Sequence, residues 1–112
     1  PVWQFPGGAL HGEEQPLDLA ALPAECGVIQ LETDPQDPYS VNIGCRILSG
    51  TIYIDPAESR TWYQNIKVDP LVRIRFANSP VIFRAQAEAE TDPQVLSQYE
   101  ADRHVLRLVP RG

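Results

Sequence analysis

The chain has 112 residues, 43% hydrophobic and 21% charged, enough for one domain with a modest core and too apolar for a disordered segment. Its net charge of −6 argues against a general nucleic-acid binder, which needs a basic face to displace counterions. No apolar run approaches the roughly 20 residues of a membrane span, and no basic stretch leads into an apolar signal core. The expectation is therefore a cytoplasmic protein with neither nucleic acid nor membrane as partner. Seven acids precede the first basic residue, Arg46, so all nine basic residues lie from there onward. A small anion, if bound, must be held in that part.

Residues 1–16, PVWQFPGGALHGEEQP, are rich in Pro and Gly, lack periodicity and read as an extended N-terminal arm. The remainder, 17–112, reads as a single domain. Trp3 and Phe5 are expected to pack on that domain or on a second subunit, and His11 to be a solvated loop residue. Residues 17–25 carry a short helix signal, with Asp18 as cap and Pro23 as terminator. Residues 28–33 read as a strand, and Asp34-Pro-Gln-Asp-Pro38 as a turn.

Residues 40–48 alternate, with Val41, Ile43, Cys45 and Ile47 on one face and Asn42, Gly44, Arg46 and Leu48 on the other. The hairpin reading sets Cys45 opposite about Ile29, away from Cys26, so reduced thiols are expected. Ser49-Gly50 turns the chain into residues 51–55, with Arg46 opposite Tyr53. Gly44 fits a bulge or the close approach of a ligand.

The stretch DPAESRTWYQNIKVDPLVRIRF, residues 55–76, opens on a helix signal: Asp55 to cap, Pro56 at the first position, and Glu58 to complete a capping box. Trp62 and Ile66, four apart, share one helix face. Asp69-Pro70 stops the helix. Residues 71–77 and 81–90 then read as strands around an Asn78-Ser79-Pro80 turn. Matching their apolar faces pairs Ile74 with Phe83 and sets Arg73 opposite Arg84. Like charges directly opposed destabilise a strand pair, so a counter-charge is required. Glu88, Glu90 or a partner chain is the favoured source; a bound phosphate or carboxylate is the sharper alternative. The small residues Ala85, Ala87 and Ala89 point to an element packed close, such as a helix. Asp92-Pro93 starts a helix with a stripe of Val95, Leu96 and Tyr99, ending near Arg103. Residues 105–109 close the chain as a strand that runs into LVPRG, which coincides with a common protease-linker sequence.

About six strands with short hairpins and two to three short helices predict a mainly β protein, a closed or nearly closed antiparallel β-barrel. A sandwich or an open α+β sheet is the alternative.

This order, together with Trp62-Tyr63-Gln64-Asn65-Ile66 and then Asp69-Pro70 before an alternating strand, resembles the FMN-binding split β-barrel superfamily. That superfamily includes pyridoxamine 5'-phosphate oxidase-like proteins and deazaflavin-dependent nitroreductases. The resemblance implies a split antiparallel barrel, a homodimer, and a flavin phosphate held by basic residues of the second strand and the helix start. By position these are Arg46, Ser59 and Arg60, with Trp62 along a ring and Asn42 on the same strand face as Arg46. The acidic turn at 34–38, where the nitroreductases carry a basic one, makes FMN more compatible than the deazaflavin F420. The implied function is a flavin-dependent oxidoreductase of unknown substrate. The alternatives are a cofactor-free dimeric binding module, or a tetrapyrrole site using His11 or His104, the two imidazoles present.

Overall fold

The computed structural model describes residues 6–112; the expectations for Trp3 and Phe5 lie outside the described residues. Seven strands form the sheet: β1 (Glu14–Pro16), β2 (Gly27–Thr33), β3 (Tyr39–Leu48), β4 (Thr51–Ile54), β5 (Leu71–Phe76), β6 (Ile82–Ala89) and β7 (Leu106–Pro110). Six of them run β6-β5-β2-β3-β4-β7 and return to β6, closing an antiparallel barrel. The short β1 lies parallel to the first residues of β6, beyond the reach of β7. Two helices, α1 (Thr61–Val68) and α2 (Pro93–Leu96), and a 3₁₀ turn at Leu19–Ala21 complete the described elements.

Alternation places the core. Along β5, Val72, Ile74 and Phe76 are buried while Leu71, Arg73 and Arg75 are half-buried. Ile29, Leu31, Ile52, Ile54 and Leu108 meet Val72 and Ile74 inside the barrel, each burial being worth about 1.5–3 kcal/mol. Ala85 and Ala87 belong to this same interior. The extensive contacts of β6 are with β1, β5 and β7, so the small side chains fit the taper of a narrow barrel rather than the approach of a helix. The registers of Arg46 with Tyr53, Arg73 with Arg84 and Ile74 with Phe83 are those expected from the pattern.

Where the structure departs from local signals, tertiary pairing is the cause. Helix α1 begins at Thr61, with Arg60 at its N-cap and no side-chain cap, instead of at Pro56. The stretch from Asp55 to Ala57 is held by the segment that precedes β7. The Pro56 carbonyl accepts from His104 N at 3.0 Å, Ala57 bridges Arg103, and the Asp55 carbonyl accepts from Arg103 Nη1 at 2.8 Å. Glu58 forms no capping box; its carboxylate accepts from Gln64 and Lys67 and meets His104. The first helix signal yields only the 3₁₀ turn, with Asp18 capping Ala20 N at 3.0 Å. The last yields one turn, capped by Asp92, and residues 97–103 continue as turns.

Cys26 and Cys45 form a disulfide, Cα atoms 5.5 Å apart, and not the expected reduced pair. The β2–β3 hairpin closes at Thr33 opposite Tyr39, around a turn in which Asp34 takes a left-handed φ of 58°. That register brings Cys45 opposite Gly27, not Ile29, and so beside Cys26.

The counter-charge for Arg73 and Arg84 comes from Glu32 and Glu14, and not from Glu88 and Glu90. Arg73 donates to both Glu32 oxygens at 2.7 and 2.6 Å and to Glu14 at 2.8 Å; Arg84 reaches Glu14 at 3.5 Å. Glu88 and Glu90 instead accept from Arg107, in β7.

Candidate functional site

A cavity of about 800 Å³ lies between the Asn42–Gly44 part of β3, the stretch around Asp55 and Pro56, and the start of α1. Its volume falls within the range of about 300–1,000 Å³ usual for small-molecule sites. Helix α1 is seated by Trp62, Tyr63 and Ile66, all buried, and by Asn65, whose amide donates to Thr33 Oγ1 at 3.0 Å. Asp69 and Pro70 then stop it, so its N-terminal end is fixed facing the cavity.

Of the five candidate residues, four line this cavity: Asn42, Ser59, Arg60 and Trp62. Trp62 is at once a core residue and a cavity wall. Arg46 is not part of the lining; its guanidinium lies 5.2 Å over the ring of Tyr99. The cation found at the cavity in its place is Arg103. It was hidden from sequence reasoning because the expected helix ended near it. What carries Arg103 to the site is the bridge to Ala57, 46 positions earlier, a pairing with no local signal.

The charge balance differs sharply among these arginines. Arg103 donates from Nη1 to the Asp55 carbonyl at 2.8 Å and to its carboxylate at 3.3 Å. Arg60 has no side-chain partner among the described residues, and the first amides of α1 beside it have no side-chain cap. The nearby Glu58 does not neutralise it. Hydrogen bonds from Lys67, then Gln64 and His104, hold Glu58 down to about 2 and occupy its carboxylate. The same bond raises Lys67 above its ordinary value. His104 stacks on Tyr63, ring centroids 4.4 Å apart, and sits 2.7 Å from Glu58.

Gly44 adds a further clue. Strand β3 passes through it without a bulge, and an added Cβ would meet only the Gly27 carbonyl, at 3.9 Å. Packing within the chain therefore does not require glycine there. The open backbone leaves room on the cavity wall for a flat ligand.

Among the described residues no group of three or more His, Cys, Asp or Glu is placed to hold a metal, and no helix is long and apolar enough to cross a membrane.

No family profile matches the chain, and no curated protein matches it. Solved structures do. A candidate pyridoxamine 5'-phosphate oxidase from Listeria innocua superposes with a TM-score of 0.63 at 14% identity, covering 76% of this chain and 84% of that one. A conserved hypothetical protein from Mycobacterium tuberculosis gives 0.63 at 17%, covering 77% and 74%. A NimC/NimA family protein from Clostridium acetobutylicum gives 0.52 at 22%, covering 75% and 74%. Identities this low speak for shared architecture and leave activity open. The closed six-stranded barrel with its added strand and two short helices is thus a split β-barrel, the fold of these pyridoxamine 5'-phosphate oxidase-like and NimC/NimA-like proteins.

Proposed function

We propose that the chain is a flavin-binding split barrel acting as a small oxidoreductase, with FMN its cofactor. The observation that carries this reading is Arg60: an exposed guanidinium with no side-chain partner among the described residues, at a helix start without a side-chain cap, on the wall of a cavity of about 800 Å³. A guanidinium next to open helix amides is a strong site for a phosphate. Ser59 supplies a hydroxyl beside it. Trp62 and the bare backbone at Gly44 form walls against which a flat ring can lie, and Asn42 is part of the same lining. FMN, when bound, supplies the hydride and electron transfer; the chain binds it, orients it and sets its electrostatic surroundings.

Asp55 in the lining and the acidic turn at 34–38, which borders the cavity at Tyr39 and Ser40, favour FMN over the polyanionic deazaflavin. The position of Arg46 outside the lining favours the runner-up, a cofactor-free binding module for a small anionic or apolar ligand.

A homodimer goes with the flavin reading. Val28 is 53% exposed, beside Asn42 and Gly44 on the β2–β3 surface, an apolar group suited to a second copy. Sedimentation at micromolar concentration tests this, a monomer being the contrary result. As to compartment, the Cys26–Cys45 bond is better suited to an oxidising environment than to the cytoplasm.

The decisive experiment titrates the protein with FMN and follows quenching of flavin fluorescence. Saturable binding that Arg60→Ala abolishes supports the flavin reading. A protein that ignores both FMN and the deazaflavin belongs to the runner-up.

A further inference from the structure

The geometry points to Arg103 as the second cationic contact of an anion clamp, closing with Arg60 on a phosphomonoester, with Asp55 limiting how much negative charge the clamp accepts. This rests on the reading of the cavity as the ligand site and adds a residue from a distant part of the chain.

Arg103 is held in place through its backbone. Its own amide donates to Glu100 O at 3.1 Å, it bridges Ala57, and the next amide, that of His104, donates to Pro56 O. Of its guanidinium only Nη1 is engaged, at 2.8 Å by the Asp55 carbonyl and at a longer 3.3 Å by the Asp55 carboxylate. Nε and Nη2 have no acceptor among the described residues, so three N–H donors remain unspent. The pair is open to solvent, with 40% of the Arg103 and 36% of the Asp55 side chain exposed. A contact of this kind is weak and readily shared with an incoming anion.

Arg60, Arg103 and Asp55 are the Lys, Arg, Asp and Glu residues of the lining, two cations against one anion. That balance leaves a net positive charge for a phosphate monoester. A chain of phosphates or a polyglutamate tail would bring further negative charge toward Asp55. The carbonyl bond is the feature that makes Asp55 a tuner rather than an anchor, because it holds Arg103 even when the carboxylate is neutralised.

The test uses the whole chain and three probes: inorganic phosphate followed by arginine side-chain NMR, FMN, and riboflavin, which has no phosphate. The expected result is that phosphate shifts the signals of Arg60 and Arg103 but not that of Arg73. Arg103→Ala should weaken phosphate and FMN about tenfold or more, the loss expected for one charge-assisted contact, and leave riboflavin unchanged. Arg103→Lys, which keeps the charge but not the fork, should recover only part. Asp55→Asn should tighten phosphate binding several-fold. The clamp is overturned if phosphate leaves the Arg103 signal unmoved, if Arg103→Lys and Asp55→Asn both bind phosphate as the parent does, or if Arg103→Ala lowers riboflavin as much as FMN. If the parent takes phosphate through both arginines but refuses FMN, the flavin reading falls and the clamp stands with another phosphomonoester. FMN binding that phosphate cannot compete has the opposite meaning.

Discussion

Two groups of arginines on this barrel carry the same charge and differ in kind once folded. On one side, Arg73 spends its guanidinium on the chain itself: two bonds to Glu32, one to Glu14 and one to the Leu10 carbonyl at 3.0 Å. Glu32, only 4% exposed, also takes the Leu10 amide at 2.8 Å, so the network clasps the N-terminal arm to the barrel. On the other side, the Arg60 guanidinium has no partner among the described residues, and that of Arg103 is engaged through only one nitrogen. Burial of an ion pair is worth its desolvation only when every partner is present, which describes the first cluster. A guanidinium left to solvent at a cavity wall brings the fold no such gain and stays available to a ligand. The count of carboxylates within reach, more than the count of arginines, separates a cluster tied into the fold from one left open.

The largest effect should come from breaking the saturated side. Arg73→Ala leaves Glu32 buried with one amide for company and is expected to cost about 3–5 kcal/mol in urea unfolding, with release of the Leu10 segment. A loss below about 1 kcal/mol would mean that the clasp contributes little. Next is the disulfide, which ties β2 to β3 across 19 positions. Replacing both cysteines by alanine should lower stability by about 3 kcal/mol, read from the shift in denaturation midpoint. The open side should respond in the opposite sense. Arg60→Ala should change unfolding free energy by no more than about 0.5 kcal/mol while FMN binding weakens tenfold or more. Loss of stability comparable to that of Arg73→Ala would erase the distinction between the clusters.

Much of this could be seen in the sequence because it follows from period-two alternation. The strands, the turn at Ser49-Gly50, the opposition of Arg73 and Arg84 and the burial of Trp62 with Ile66 all come from local pattern. What stayed hidden depends on contacts between remote segments. Asp55, Pro56 and Glu58 spell a helix start, yet the chain before β7 pairs with them and delays the helix to Thr61. Arg46 shares a strand face with Asn42 and Gly44, but only the packing of Tyr99 reveals that its guanidinium is turned aside. Arg103 could have been found only by knowing that residues 97–103 fold back as turns and not as helix. The disulfide depends on a hairpin register two residues away from the one that alternation suggests.

The smallest effect concerns the boundary between the two kinds of cluster, Glu58, which is fully exposed yet held to about 2 by Lys67, Gln64 and His104. Its carboxyl is depressed below the ordinary 4.5, so whatever stability it contributes is complete above that value and is lost as pH falls toward 2. Lys67 is raised by the same bond, so its share is present below the ordinary 10.5 and disappears as pH rises beyond it. Glu14, where burial is the largest single influence but the hydrogen bonds and charges of Arg73 and Arg84 together outweigh it, and Glu90, held mainly by the Asp92 amide, are also lowered and add to the acid limb. A single pH profile therefore mixes several carboxylates, whereas the difference between parent and Glu58→Gln removes the contributions they share. That difference should be flat and small between about pH 5 and pH 10, and should narrow at both ends. Thermal unfolding across pH 2–11 measures it, and salt should shrink the plateau because the cluster is open to solvent. A difference that grows on acidification would mean that Glu58 is stabilised by its protonated form, and the three donors around it would then not be holding a carboxylate away from Arg60.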